Sequence, residues 1–246
     1  MLELDYWLEI AKSAALAGGK YLLDNQGKDL QILCNDGRDI KLQLDTDTEK
    51  VIKQNIASQS SFPILGEETG LSAGIDEFYW VVDPLDGTSN FLRNIPISCV
   101  SIALMQNLTP IVGAIYDFNH DDLYFGHQES KAFVNKVQIH VSEYSAKNQS
   151  TLVTGIPAKT NYSDDEFKTL IEDFQCWKKV RMIGSAAMAS IYVASGKADT
   201  YKENGIFLWD IAAGAAIVNA AGGVAVISNI QDDHRVDAKF TNQFLG

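Results

Sequence analysis

The segment Trp80-Val81-Val82-Asp83-Pro84-Leu85-Asp86-Gly87-Thr88-Ser89-Asn90 constrains this chain more than any other stretch of it. An apolar strand delivers Asp83 to its end, Pro84 and Gly87 shape a tight turn, and Asp86 follows Asp83 at a spacing that turns both carboxylates toward one point. Hard cations such as Mg²⁺ take oxygen ligands in octahedral geometry, and a turn of this kind can add a backbone carbonyl to the two carboxylates. If Gly87 and Thr88 open a helical turn, their amides point donors at a phosphate. Asp, Pro and Gly are also common turn formers, so the segment by itself is equally readable as a capped turn.

Two further segments carry acids in similar settings. Leu65-Gly66-Glu67-Glu68-Thr69-Gly70 follows another apolar strand, and adjacent strand ends would bring Glu67 to Asp83. Read alone, it is a pair of solvated glutamates in a Gly-flanked turn. Leu208-Trp209-Asp210-Ile211-Ala212-Ala213-Gly214 places Asp210 at a helix start, where a lone Asp is most often a cap. Phosphatases of the haloacid-dehalogenase type also place an Asp at a strand end, as a nucleophile. They need Asp-x-Asp, and the spacing here is Asp-x-x-Asp.

The whole chain is acidic: 20 Lys+Arg against 32 Asp+Glu give a formal net charge of -12 over 246 residues. Such a surface repels nucleic acid and anionic lipid, and no direct nucleic-acid binding is expected. An acidic protein can still bind a phosphate ester if its carboxylates first gather divalent cations, which reverse the local field. Cys34, Cys99 and Cys176 make neither a disulfide framework nor a Cys-x-x-Cys metal site, and His120, His127, His140 and His234 lack ligand spacing. No apolar run reaches membrane-spanning length, and the opening residues include Glu3, Asp5 and Glu9 in place of a basic leader. The expectation is an untargeted, soluble, cytoplasmic protein.

Periodicity predicts a helix from Asp5 to about Asn25, ending near Gly27, and a second beginning near Asp47 and covering Thr48 to Ala57. Gln26 to Asp45 between them reads as a mobile hairpin or loop. From Ile64 onward the pattern is that of a largely antiparallel sheet, with strands at Tyr79–Val82, Ile97–Met105, Ile111–Phe118 and Asp122–Phe125. After Thr151–Thr154 short strands alternate with helices. These include a capping box at Ser163–Glu166, a small-residue helix from Ser185 to Ala194 and an Ala-rich helix from Asp210 to Ala221, stopped by Gly222-Gly223. Two layered halves of one unit are expected, 1–145 and 146–246. The stretch from Gln231 to Gly246 suggests no function.

Gly-Glu-Glu, then Asp-Pro-Leu-Asp-Gly-Thr-Ser-Asn-Phe, then Trp-Asp-Ile-Ala-Ala-Gly with Ala-Gly-Gly downstream, in this order, resembles the inositol monophosphatase family. The resemblance implies an α/β protein of α+β type, a layered αβαβα sandwich shared with fructose-bisphosphatases. The resemblance also implies a homodimer that uses two or three Mg²⁺ ions per site and is inhibited by Li⁺. It implies further that Glu67, Asp83, Asp86, Asp210 and the carbonyl of Leu85 are metal ligands, and that Asp47 and Thr88 join Glu67 in activating the attacking water. The family commonly reads Val-Thr-x-x-Asp where this chain has Gln43-Leu44-Asp45-Thr46-Asp47, so the threonine is lost.

The expected reaction is hydrolysis of a small phosphate monoester without a covalent intermediate, on the two-metal logic of in-line displacement. Asp86, Gly87, Thr88 and Asp210 would contact the substrate, the Gly87 and Thr88 amides holding its phosphate oxygens. Ser185 and Ala186 lie in a turn resembling the family's substrate-lining segment and would line the substrate. Glu203 matches a family glutamate that accepts hydrogen bonds from sugar-like hydroxyls, and a carboxylate there suits a neutral polyol and repels a second phosphate. Inositol monophosphate is the expected substrate. Alternatives on the same metal core are 3′-phosphoadenosine 5′-phosphate, fructose bisphosphate and histidinol phosphate, and an alternative of another class is a regulatory protein acting through transcription-complex partners.

Overall fold

The computed structural model describes residues 3–27, 32–36, 39–72, 74, 76–156 and 162–245. Helices α1 (Leu4–Asn25) and α2 (Gln43–Ala57) flank a hairpin of β1 (Ile32–Asp36) and β2 (Asp39–Leu42). The polar stretch read as a hairpin or loop thus contains a paired hairpin. The second helix also starts earlier than its apolar residues suggest, at Gln43 rather than near Asp47.

The next strands are β3 (Ile64–Gly66), β4 (Gly70–Leu71), β5 (Phe78–Asp86), β6 (Cys99–Gln106), β7 (Thr109–Asp117), β8 (Asp122–His127), β9 (Ala132–Val134) and β10 (Val137–Ile139). They form one eight-stranded sheet in the order β10-β9-β8-β7-β6-β5-β3-β4, antiparallel throughout except where β3 runs parallel to β5. The short helix α3 (Thr88–Leu92) follows β5.

The remaining elements are β11 (Thr151–Thr154), α4 (Asp164–Cys176), β12 (Lys179–Met182), α5 (Ala186–Ala194), β13 (Thr200–Phe207), α6 (Leu208–Ala220), β14 (Val224–Ser228) and β15 (Arg235–Thr241). Their five strands form a second sheet, β12-β11-β13-β15-β14, parallel on one side of β13 and antiparallel on the other. The C-terminal stretch that suggested no role supplies β15, which lies between β13 and β14 and buries Val236, Ala238 and Phe240. The capping box holds: Ser163 Oγ accepts from Glu166 N, and a Glu166 carboxylate oxygen accepts from Ser163 N.

Side-chain alternation on β5 shows how the layers are built. Trp80 and Val82 face the core shared with α1 and α2, whereas Tyr79 and Val81 face the core shared with α5 and α6. Both faces of the large sheet are covered, so its central strands read as continuous apolar runs. Each such residue, fully buried, contributes about 1.5–3 kcal/mol. Helices α5 and α6 lie between the two sheets and α4 lies on the far side of the smaller one, which completes the αβαβα sandwich. Among the described residues no helix is long and apolar enough to cross a membrane.

Candidate active site

Strand β5 runs along β6 in register as far as Asp83, which lies opposite Ser101, and resumes only where Asp86 meets Cys99. The register shift falls at Pro84, which has no N–H to give to the ladder. This bulge turns the chain so that Asp86 points back toward Asp83. Asp83 Oδ1 accepts from the Leu85 amide at 2.9 Å, fixing the turn from within. Gly87 follows with φ 86°, and a Cβ there would lie 2.7 Å from the Ile97 carbonyl, so both backbone angle and space require glycine.

One oxygen of Asp86 is gripped from the other half of the molecule. Ser185 Oγ and the Ala187 amide both donate to Asp86 Oδ2, at the start of α5. Asp210 is the third residue of α6, which begins at Leu208, and its Oδ2 accepts from Phe207 N at 3.2 Å. It therefore caps its helix from inside, a little further in than the expected first position. Oxygens of Asp83, Asp86 and Asp210 all lie within 4.8 Å of one another. Glu67, on the turn after β3, joins them through a hydrogen bond with Asp83.

The electrostatics of this cluster are unfavourable without a cation. Burial, then the charges of Glu67, Asp86 and Asp210, drive the Asp83 carboxyl well above the usual carboxylate range. Asp210 is raised in the same way, by burial first and then by Asp86 and Glu67. Asp86 is pushed up to about 6 by burial, against the opposing pull of Ser185 and the α5 amides. The strongest charges acting on Asp83 are carboxylates, all oxygen donors. This donor set fits hard divalent cations and offers nothing to softer metals.

A cavity of about 200 Å³ opens from Asp86, lined by Thr154, Gly155, Ser185, Ala186, Tyr201 and Glu203 among others. Ser185 and Ala186 thus border the space beside the acids while their segment also holds Asp86. Glu203 lies on the buried face of β13, accepts from the Tyr201 hydroxyl at 3.1 Å, and is pushed up to about 7 by burial.

Asp47 is the one expected site residue that the structure does not bring in. Its carboxylate accepts from Gln43 Nε2 and pairs with Lys50 at 2.8 Å on the solvent side of α2. Thr88 Oγ1 donates instead to the Leu85 carbonyl at 3.0 Å. The buried acid of this helix is Asp45, whose Oδ2 accepts from Leu42 N at 2.9 Å where β2 gives way to α2 beside α3. Two residues along a helix are about 200° of rotation, so Asp45 and Asp47 face opposite ways.

The sequence profile of the inositol monophosphatase family matches residues 3–238. An inositol-1-monophosphatase from Synechocystis is 38% identical over 233 residues, covering 90% of this chain and 79% of its own length. The chain belongs to the inositol monophosphatase family. A Nus factor SuhB from Xylella fastidiosa is 36% identical, over 94% of this chain and 86% of its own. The solved structure of an inositol monophosphatase from Anabaena (Nostoc) superposes with a TM-score of 0.86 at 32% identity, covering 98% of this chain and 92% of that one.

Family membership carries phosphatase chemistry and, in general, dependence on Mg²⁺, which agrees with the acid cluster. Besides Asp45, sequence reading missed Glu49 for this inositol monophosphatase family member. Wholly buried on α2, Glu49 accepts from the amides of Glu68 and Thr69 at 2.8 and 3.2 Å and so holds the turn that carries Glu67. Gly66 gives it room: a Cβ there would stand 2.5 Å from the Glu49 carboxylate. The signal was present in the sequence, because Asp45, Glu49, Ile52 and Ile56 share one helical stripe.

Proposed function

We propose that the protein hydrolyses the phosphate monoester of a small polyol, with inositol monophosphate as the type substrate and Mg²⁺ as the metal. The observation that carries the substrate class is Glu203, a buried carboxylate on the wall of the cavity that opens from Asp86. A carboxylate there accepts hydrogen bonds from hydroxyls and repels a second phosphate.

Asp83, Asp86, Asp210 and Glu67, with the Leu85 carbonyl, would hold the metal. Bound there, Mg²⁺ supplies charge neutralisation and Lewis acidity for the phosphate ester. The chain's own work is positioning. Glu67, with Thr88 and Asp45 in place of Asp47, would orient the attacking water and take its proton. The backbone at Gly87 and Thr88 would face the phosphate oxygens, and Asp86 and Asp210 would set its place. Ser185 and Ala186 would bound the alcohol, and Glu203 would hold its hydroxyls. No side chain needs to become phosphorylated.

Phosphate release from inositol monophosphate, fructose 1,6-bisphosphate, 3′-phosphoadenosine 5′-phosphate and histidinol phosphate, each with and without Mg²⁺, tests the reading. The polyol monophosphate should turn over fastest, only with Mg²⁺, and Li⁺ should inhibit. Faster turnover of any of the other three sinks the substrate assignment. Likeness to a protein named a Nus factor favours a second role through transcription-complex partners. Capture of such partners by the Asp210→Asn variant would separate that role from catalysis, and mass measurement in solution would test the expected homodimer.

A further inference from the structure

A second cavity, of about 370 Å³, lies between α4 and the face of the smaller sheet that carries Lys202 and Asn204. It meets the first at the C-terminal end of β11, where Thr154, Gly155 and Glu203 line both. Helix α4 is amphipathic yet buries none of its residues. Its Leu170 and Phe174, one turn apart, face Leu152 of β11 across the space instead of closing on it. An apolar helix stripe held off a sheet leaves the apolar surface a ligand can use. Ligand pockets run from about 300 to 1,000 Å³, a range that the cavity beside Asp86 reaches only when joined to this one.

The charges of the second cavity are uneven. Asp165, Glu166, Asp173 and Glu203 line it with Lys202, and Asp173 is paired with Lys147 at 2.8 Å, so an anionic group is disfavoured. Glu203 is nine-tenths buried and stands where the two spaces join, with one oxygen engaged by Tyr201.

We propose that this second cavity is the distal part of the substrate site. It takes an uncharged apolar arm carried on the polyol of the phosphate monoester, and the enzyme prefers a polyol phosphate bearing such an arm to the same polyol phosphate without one. The inference rests on the phosphatase reading of the acid cluster and names the substrate class more closely. Leu170 and Phe174 are the specificity-determining residues, and neither touches the acid cluster.

The test compares kcat/KM for 1-O-benzylglycerol 2-phosphate and glycerol 2-phosphate, with Mg²⁺, in the wild-type protein and in Leu170→Trp, which fills the cavity. The wild type should favour the arm-bearing ester about tenfold, the size of a hydrophobic pocket contact. Leu170→Trp should abolish that preference while glycerol 2-phosphate turnover stays within about twofold. Phe174→Trp, filling the same space from the next turn, should do likewise, and guards against a folding defect in one variant. Equal kcat/KM for both esters in the wild type, or an equal fall for both in the variants, overturns the inference while leaving the phosphatase reading intact. Release of phosphate from neither ester by the wild type overturns the phosphatase reading, and this inference with it.

Discussion

Glu49 offers the sharpest perturbation, because it touches no reacting group and yet carries the turn that bears Glu67. Its two oxygens accept from the Glu68 amide, the Thr69 amide and the Thr69 hydroxyl, and Lys53 Nζ stands 3.0 Å away. Glu49→Ala strips the partner from two backbone amides at about 1–3 kcal/mol each. The total of about 3–5 kcal/mol, typical of breaking a buried pair, is a large share of the about 5–15 kcal/mol that holds a domain together.

Glu49→Gln is the informative variant, since it keeps one acceptor and the same shape and turns an NH₂ toward the other donors. A loss of about 2 kcal/mol is expected, read as a fall of about 1 M in the urea midpoint. Because the loosened turn carries Glu67, the Mg²⁺ concentration for half-maximal phosphatase activity should rise about tenfold, equivalent to about 1.4 kcal/mol. Lys53→Met removes the ion pair but leaves the amide bonds, and should lower stability less and leave the Mg²⁺ requirement near that of the wild type. If Glu49→Gln unfolds at the wild-type urea midpoint with an unchanged Mg²⁺ requirement, the turn is held by something else and the reasoning fails.

Asp83→Asn should cut phosphatase activity by about 10³ or more, yet raise the melting temperature of the metal-free protein, because it relieves repulsion among buried carboxylates; a lower melting temperature contradicts the electrostatic account. Asp45→Asn should lower kcat by about 10²–10⁴, the range for a general base, whereas Asp47→Asn should leave it within about twofold; equal losses would mean the helical phase was misread. The Glu203 carboxyl is raised from 4.5 to about 7 by burial, so between those values it keeps its proton in the folded state while it ionises in the unfolded chain, and above about 7 it is a carboxylate in both. Its stabilising contribution is therefore full below pH 4.5 and lost as pH rises to about 7, a change of about 3 kcal/mol. In metal-free protein Glu203→Gln should flatten that fall in denaturant titrations, and an unaltered slope would refute the assignment. Asp86, raised from 3.8 to about 6, adds a fall of the same sign over a lower window.

Much of the layered fold was legible because the large sheet obeys two simple periods. The apolar runs at Tyr79–Val82 and Ile111–Phe118 could only be strands covered on both faces, and the Ala-rich helix ending at Gly222 could only be packed between layers. The strand β15 escaped notice because its inward residues Val236, Ala238 and Phe240 alternate with Asp237 and Lys239, within a stretch whose Asp, Asn and Gln content reads as loop. The stretch before α2, polar but with alternation in Ile40 to Leu44, read as a hairpin or loop, and β1 and β2 pair there as a hairpin.

The acid cluster was legible for a different reason from the one that makes it work. In sequence, Asp83, Asp86, Glu67 and Asp210 sat at the ends of apolar segments, where any acid would be tolerated. In the fold, the bulge at Pro84 and the grip of α5 on Asp86 force them into an arrangement that opposes its own charge. The same criterion separates Asp45 from Asp47, the acid that motif spacing selected. On α2 the buried positions are Leu44, Asp45, Thr48, Glu49, Ile52 and Ile56, a stripe at three- and four-residue intervals in which two acids stand where apolar residues belong. A half-buried acid on the solvent side such as Asp47, paired with Lys50, needs no explanation, whereas an acid on the core face of a helix costs stability unless a partner meets it there. We therefore propose Asp45 as the water-orienting acid of α2 and Glu49 as the support of the turn that carries Glu67; the phase of the helix, once its start at Gln43 is known, separates both from Asp47.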